Sequence, residues 1–445
     1  MIAAETTNTI GAPEARSHSQ ATERTVASVW WLNPAVLFIV VVTGTLLPAL
    51  AMSDRAYALY KTPKYVNGDA AWLGLLACLM VGCGAMLAAH APTTIPRLTL
   101  SARRRLVPWF YITSALTLLG YAVWMASGIQ HGFSAGHIVQ MISGADEDTY
   151  SSLKFEIFRT IPGITTCSQF ALLAVMLGVL VRGRETPYLK PLLAAILLVS
   201  AIRMLLVSER LAFVEVALLV GLVWLRTRVL SRQRSPRAQL ALSLAPAIGV
   251  LGLVILFGGA EYFRSWTFYK DEVDSFLEFT VSRLSGYYST GHNNGAMECT
   301  MQEGLPLPYY TLEWFWRFPF LKGSPLSYET LTGIDPQQAH ADFLERWGNA
   351  EFNNPGGLFC PTLDYGVFGG ALFWLVFGLI AGRLYRHFLA GTLVGLLVYP
   401  VIVLSILEVP RILYLCTVRP FPALVMAAFL VLPHLLARTG ASHAN

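Results

Sequence analysis

Apolar stretches long enough to cross a bilayer recur along the chain, and short polar connections separate them. They lie at roughly 32–52, 70–90, 107–127, 162–182, 189–207, 209–225, 240–260, 363–382, 389–407 and 420–437. A helix needs about 20 apolar residues to span the hydrocarbon core, so the pattern predicts an all-α polytopic membrane protein with about ten transmembrane helices. Residues 1–29 are polar, rich in Ser, Thr and Ala, and lack the apolar core of a cleavable signal peptide. They read as a disordered tail, residues 30–438 as a single integral membrane domain, and 439–445 as a second short tail.

Two connections are long, 128–161 and 261–362. In the longer one, Val273, Phe276, Leu277, Val281 and Leu284 fall on one helical face, with Gly286 expected to stop that helix. Asp335 as N-cap, Pro336 at the first helical position and Gly348 beyond the end predict a second short helix. Between them, 305–319 is an aromatic stretch suited to a membrane interface. The expectation is a folded, helical loop draped on the bilayer surface, with no internal repeat and no second soluble domain.

Composition agrees. Of 445 residues 55% are hydrophobic and 13% charged, against about 25% charged in soluble proteins. A soluble enzyme, a disordered chain and a nucleic-acid binder are excluded. The net charge of +5 resolves once charges are assigned to sides. With the N-terminus inside, the inner segments hold seventeen bases and four acids, and everything else holds fifteen bases and twenty-three acids. All inner connections are short and basic, so the positive-inside rule puts both termini on the cytoplasmic side.

No CxxC, HExxH, P-loop or GxGxxG pattern occurs, which removes the usual support for nucleotide-driven transport or a zinc protease. Cys78, Cys83 and Cys167 lie inside spans, and Cys416 near an outer helix end. Cys299 and Cys360 share the long loop, either as a disulfide or as two free buried thiols. Asp146, Glu147 and Asp148 are too short a motif to specify a metal and read as solvated acids.

The outer helix ends collect arginine: Arg203, Arg210, Arg264, Arg411 and Arg419. Arginine near a bilayer core is costly unless paired or functional. These five are either interfacial anchors and internal ion pairs or an anion site in which guanidinium forks bind phosphate. Glu215, inside a span, needs a partner, and Arg203 is the nearest in depth; otherwise the carboxylate lines a wet cavity. The segment 286–295, with Tyr287, Tyr288, His292, Asn293 and Asn294, suits sugar hydroxyls or is an ordinary turn-rich loop. His340 could accept a proton or simply sit at the surface. Glu351, Asn353, Asn354 and Asp364 lie just above a span and could face the same cavity as the arginines. Gly366 with Gly370, and Gly378 with Gly382, are small residues four apart that allow close helix packing.

Arg203 with Ser208-Glu209-Arg210, Arg264 with the segment 282–296, and Asn353 with the segment 363–370 together resemble the Wzy-type O-antigen polymerases, the oligosaccharide repeat-unit polymerases. The resemblance extends over about 32–437, on short motifs. It implies a GT-C-like membrane glycosyltransferase of the bacterial inner membrane, whose large helical loop and active site face the periplasm. Such an enzyme joins undecaprenyl-diphosphate-linked oligosaccharide units by inverting transfer of the growing chain to the next unit. It uses no cofactor and no metal, and its partners are the lipid-linked donor and acceptor, the bilayer and, optionally, a chain-length regulator. On that reading Arg203, Arg210 and Arg264 hold the donor diphosphate, and Arg411 and Arg419 hold the donor or acceptor diphosphate. The base is Glu209, His340 or Glu351, in that order, and Asp364 joins the sugar-binding set. An O-antigen ligase shares donor and architecture. A flippase of lipid-linked sugar would want two similar halves and polar groups at the midplane, which this sequence lacks.

Overall fold

A computed structural model describes residues 29–89, 98–144, 152–183, 186–207, 209–230, 235–262, 266, 270, 273–301 and 304–442. It is all-helical, with no β-strand among the described residues. The main helices are α1 (Pro34–Ala51), α2 (Gly68–Ala89), α3 (Val107–Gln130), α4 (Ala171–Val181), α5 (Leu189–Val207), α6 (Leu211–Trp224), α7 (Pro236–Glu261), α8 (Phe276–Met301), α9 (Pro336–Trp347), α10 (Cys360–Ala390), α11 (Leu393–Glu408) and α12 (Phe421–Ser442).

Each of the ten apolar stretches falls on helix, but the helices are unequal. Among the described residues six are long and apolar enough to cross a membrane: α1, α2, α3 with the end of the short helix before it, α5, α7 and α10. The segments 165–181 and 393–408 are apolar but shorter, and burial explains their uniform composition. Every residue of α4 is buried, and α11 is buried along nearly its whole length. A helix that is apolar all round belongs in the interior of a bundle. Around these two stand helices whose outward faces stay apolar; α7 exposes Leu240, Leu244, Ile248, Leu251 and Ile255.

Local chemistry sets the ends. Asn33 caps α1 through bonds from the amides of Ala35 and Val36, and Pro34 opens the helix. Thr392 caps α11 through the Gly395 amide. Asp335, Pro336 and Gly348 bound α9 as the sequence predicts. At the C-terminus of α10, Gly391 adopts φ 71°, and buried Arg226 donates to the carbonyls of Phe388 (2.7 Å) and Leu389 (2.5 Å). That base of the inner segments is therefore a cap for carbonyls left without helical partners.

The α2–α10 pair is held by glycine. A Cβ on Gly378 would lie 2.4 Å from the Val81 carbonyl oxygen, and one on Gly84 would lie 2.2 Å from that of Leu375. Gly382 abuts Ala85 and Ala88 in the same way. Gly366 differs from the expectation: at φ 70° it breaks α10, and a Cβ there would meet no neighbour within 4 Å.

The larger correction concerns 271–301. Gly286 does not stop a helix; α8 runs through it for 26 residues. The apolar face read from the sequence divides: Leu277 and Val281 are exposed, and Phe276 packs edge-on against Tyr262 and Trp266. The face turned into the protein carries Thr280, Arg283, Ser289, Thr290, His292, Asn293, Asn294 and Glu298, all buried. Glycine makes this packing feasible. Cβ atoms at Gly286, Gly291 and Gly295 would strike Tyr60, the Pro410 carbonyl and Phe359, at 2.8, 2.7 and 2.6 Å. The glycines serve close approach to Tyr60 and to the chain just outside α10 and α11, not turn formation.

Candidate functional site

One end of the bundle gathers the start of α6, the ends of α7 and α11, the inward face of α8, and the segments 348–359 and 409–420. The opposite end carries Arg103, Arg182, Arg226 and Arg228. Apolar helices bring these polar ends together because each must leave the hydrocarbon there, and their arginines and carboxylates then meet.

Glu209 takes Arg203 Nε on one carboxylate oxygen and Arg419 Nη1 on the other, both at 2.5 Å. Arg419 turns its Nε to Glu215 Oε2 at 3.0 Å, and the Tyr414 hydroxyl donates to the same oxygen at 2.7 Å. The expected partner of Glu215 is thus corrected: Arg419, not Arg203. Equal depth on neighbouring helices did not ensure that the two side chains face each other. Arg203 instead lies 5.5 Å from the centre of the Trp124 ring.

A second group begins one residue on. Arg210 pairs with the buried Glu261 and sits 4.0 Å from the Phe257 ring centre. Arg283 spans Glu261 Oε2 (3.6 Å) and Glu351 Oε1 (2.5 Å), and Arg411 donates to Glu408 at 2.9 Å. The Tyr287 ring joins the group, with the guanidinium carbons of Arg210 and Arg411 at 5.4 and 5.8 Å from its centre. Those are cation–π distances. Arg264 lies outside the described residues, as do Asp146 and Asp148.

Five arginines (203, 210, 283, 411, 419) therefore meet five glutamates (209, 215, 261, 351, 408). Arg283 lies within the segment 282–296 with no role evident from the sequence, and Glu261 and Glu408 emerge as partners only in the structure. Their signal was visible: each is a carboxylate closing an apolar helix, where an unpaired charge is costly. The arginines have unequal spare capacity. Arg419 uses three nitrogens on carboxylates. Arg411 is a quarter exposed and holds one carboxylate, and its Nε is buried without a hydrogen-bond partner.

The three base candidates separate on geometry. Burial works to raise the Glu209 carboxyl, but Arg419 and Arg203 outweigh it and push it down to about 2. A carboxylate so held is a poor proton acceptor at neutral pH. Glu351 is engaged by Arg283. His340, on α9, places Nδ1 2.6 Å from Glu298 Oε1 and Nε2 3.3 Å from the Asn353 carbonyl. Burial works to lower its pKa, but the hydrogen bond and charge of Glu298 leave it raised. The Tyr310 hydroxyl donates to the other Glu298 oxygen at 2.9 Å. Glu298 was not singled out from the sequence, because nothing there pairs α8 with α9.

The sugar-binding candidates divide. Tyr287 and Tyr288 are half-buried beside the arginines. His292, Asn293 and Asn294 are corrected: all three are at most 1% exposed. His292 Nε2 is 2.9 Å from Thr45 Oγ1. Asn293 accepts from the amides of Tyr65 and Val66. Asn294 donates to the carbonyls of Phe352 and Asn354. Asp364 is also spent, accepting from the amides of Tyr309, Tyr310 and Thr311 and from the Thr311 hydroxyl. It anchors the aromatic segment, whose Trp314 stacks on Phe421 with ring centres 4.7 Å apart.

An apolar cavity of about 700 Å³ lies between α2, α8 and α10, lined among others by Trp72, Leu75, Leu79, Ala296, Cys299 and Val367. Cys299 and Cys360 are free, as are the other four cysteines. Among the described residues no group of three His, Cys, Asp or Glu could hold a metal ion. No protein family, no curated protein and no solved structure matches the chain.

Proposed function

We propose that this multi-pass membrane protein polymerises undecaprenyl-diphosphate-linked oligosaccharide units, transferring the growing chain with inversion onto the next lipid-linked unit. In this reading the chain has ten spans and GT-C-like architecture. It lies in a bacterial inner membrane, with the arginine–glutamate end facing the periplasm. The observation that carries the proposal is the convergence of Arg203, Arg210, Arg283, Arg411 and Arg419 from separate segments at one end of an apolar bundle.

Transfer from a lipid diphosphate needs negative charge stabilised on the departing diphosphate, and fixed guanidinium groups do this without reorganising. The five glutamates hold the arginines in place and neutralise them while the site is empty. A diphosphate would exchange with carboxylates, starting at Arg411, which has donors to spare. The acceptor hydroxyl must lose a proton as it attacks. His340, oriented by Glu298, is better suited to take it than Glu209, because an imidazole titrates near neutrality. The apolar cavity beside α8 has the size and lining to accept part of a polyprenyl chain.

The deciding experiment incubates the purified protein with a synthetic undecaprenyl-diphosphate repeat unit and resolves the products on a gel. A ladder supports the proposal. Absence of any product longer than one unit, from folded protein, refutes it, and transfer of glycan only to lipid A core would identify a ligase instead.

A further inference from the structure

At the opposite end, about 500 Å³ of cavity opens between the end of α4 and the start of α5, lined by Arg182, Gly183, Thr186, Tyr188, Leu189, Lys190, Pro191 and Arg228. Its charge pattern is the reverse of the network described above. There, every described arginine has a carboxylate; here Arg182, Lys190 and Arg228 have none among the described residues, and among those residues no acid lines the walls. Glu185, the acid in this stretch of sequence, lies outside the described residues. Nearby Arg103 feels the charge of Arg228 and keeps a buried Nε without a hydrogen-bond partner. Like charges gathered in one concavity raise each other's energy, and an anion entering it would relieve them.

We infer that this cavity binds the phosphate of an anionic phospholipid headgroup. The walls argue for a lipid rather than a soluble phosphate. Tyr188 stands 74% exposed at the cavity, where an amphipathic ring suits the headgroup layer. Its backbone is held at φ 59°, a region costly for a tyrosine. The Tyr111 hydroxyl donates to the Pro187 carbonyl at 2.5 Å and the Leu192 amide to the Tyr188 carbonyl at 3.0 Å, so the backbone that carries the ring is tied down on both sides. Leu198, further along α5, is 61% exposed on an apolar helix. Acyl chains would therefore have apolar protein surface below the headgroup. Basic pockets between helices on one membrane face recognise such headgroups by charge.

The test uses the full chain in nanodiscs of phosphatidylcholine with graded phosphatidylglycerol, and native mass spectrometry to count retained anionic lipid. The expected result is saturable retention of phosphatidylglycerol that weakens about a hundredfold in R182A/K190A/R228A. It should persist in R317A, a change at an exposed arginine outside the cavity. R228A alone, with an unchanged Tm, should weaken retention partway and guards against misfolding of the triple variant. Equal retention by wild type and folded variants would overturn the inference. Inorganic phosphate that displaces the lipid at low millimolar concentration, and binds alone with the same variant dependence, would overturn the lipid assignment and leave a soluble phosphate site.

Discussion

Arg419 closes on Glu215 at 3.0 Å although the two stand 204 positions apart in the sequence. The contact ties the linker after α11 to the interior of α6, and the Tyr414 hydroxyl completes it. Removing Glu215 takes from Arg419 one of its two carboxylates and leaves the buried Tyr414 hydroxyl without its acceptor, at about 1–3 kcal/mol. Glu215→Ala is therefore expected to lower the Tm in detergent markedly, while Glu215→Gln, which keeps an acceptor, lowers it less. Differential scanning fluorimetry compares the two; equal small shifts would remove Glu215 from the network.

Arg411 is expected to matter for turnover beyond its pairing with Glu408. Arg411→Ala should abolish the product ladder but also lower the Tm, because it leaves the buried Glu408 unpaired. Arg411→Lys keeps that charge and should hold the Tm near wild type, yet should not restore the ladder, because an ammonium lacks the planar fork. A ladder from Arg411→Lys as long as the wild type's would contradict this.

The acid limb of the rate–pH profile should report His340. Its pKa is raised above 6.5, so rate should fall as pH drops through that raised value and protonates the base. Glu298→Gln removes the cause of the rise and should move the limb to lower pH while retaining activity. His340→Ala should cost about 10²–10⁴ in kcat. For folding the sign is opposite. The raised pKa makes the His340–Glu298 pair stabilising below the unfolded value, and that contribution is lost as pH rises through the folded one.

Glu209 behaves inversely. Its carboxyl falls from 4.5 to about 2, so its stabilising contribution is in place above 4.5 and disappears as pH drops towards 2. Glu209→Gln should flatten the pH dependence of Tm in that window, measured against the wild type in the same detergent.

Close packing of α2 on α10 makes Gly378 intolerant. Gly378→Ala would drive a Cβ to 2.4 Å from a backbone oxygen, with an overpacking cost of about 1–3 kcal/mol. Gly44, with nothing within 4 Å of its Cβ position, provides the matched control: Gly44→Ala should leave the Tm unlowered.

The ten helical segments were legible because hydrophobic runs report backbone location directly. Which of them sit inside was not, since α4 at the centre and α7 at the rim are both simply apolar. The arginine end was legible as a set of bases stranded on apolar helix ends. Their partners were not, because pairing depends on helix rotation: Arg203 meets Glu209, six residues away, and leaves Glu215 to Arg419. The largest misreading, at α8, took Gly286 for a helix stop and 286–295 for a loop open to sugar, yet the helix continues and turns Asn293 and Asn294 inward. Composition could not tell a glycine that ends a helix from one that lets a helix pack closely.

That helix also fixes an order of assembly. Its inward face is satisfied by Thr45, which is made before it, and by the carbonyls of Phe352 and Asn354, made after it; Gly291 rests against Pro410, later still. A chain emerging from the ribosome thus carries Asn294 without its acceptors until residue 354 has been synthesised. A copy truncated ahead of Phe352 would leave that buried amide unsatisfied, a ready substrate for quality-control proteases.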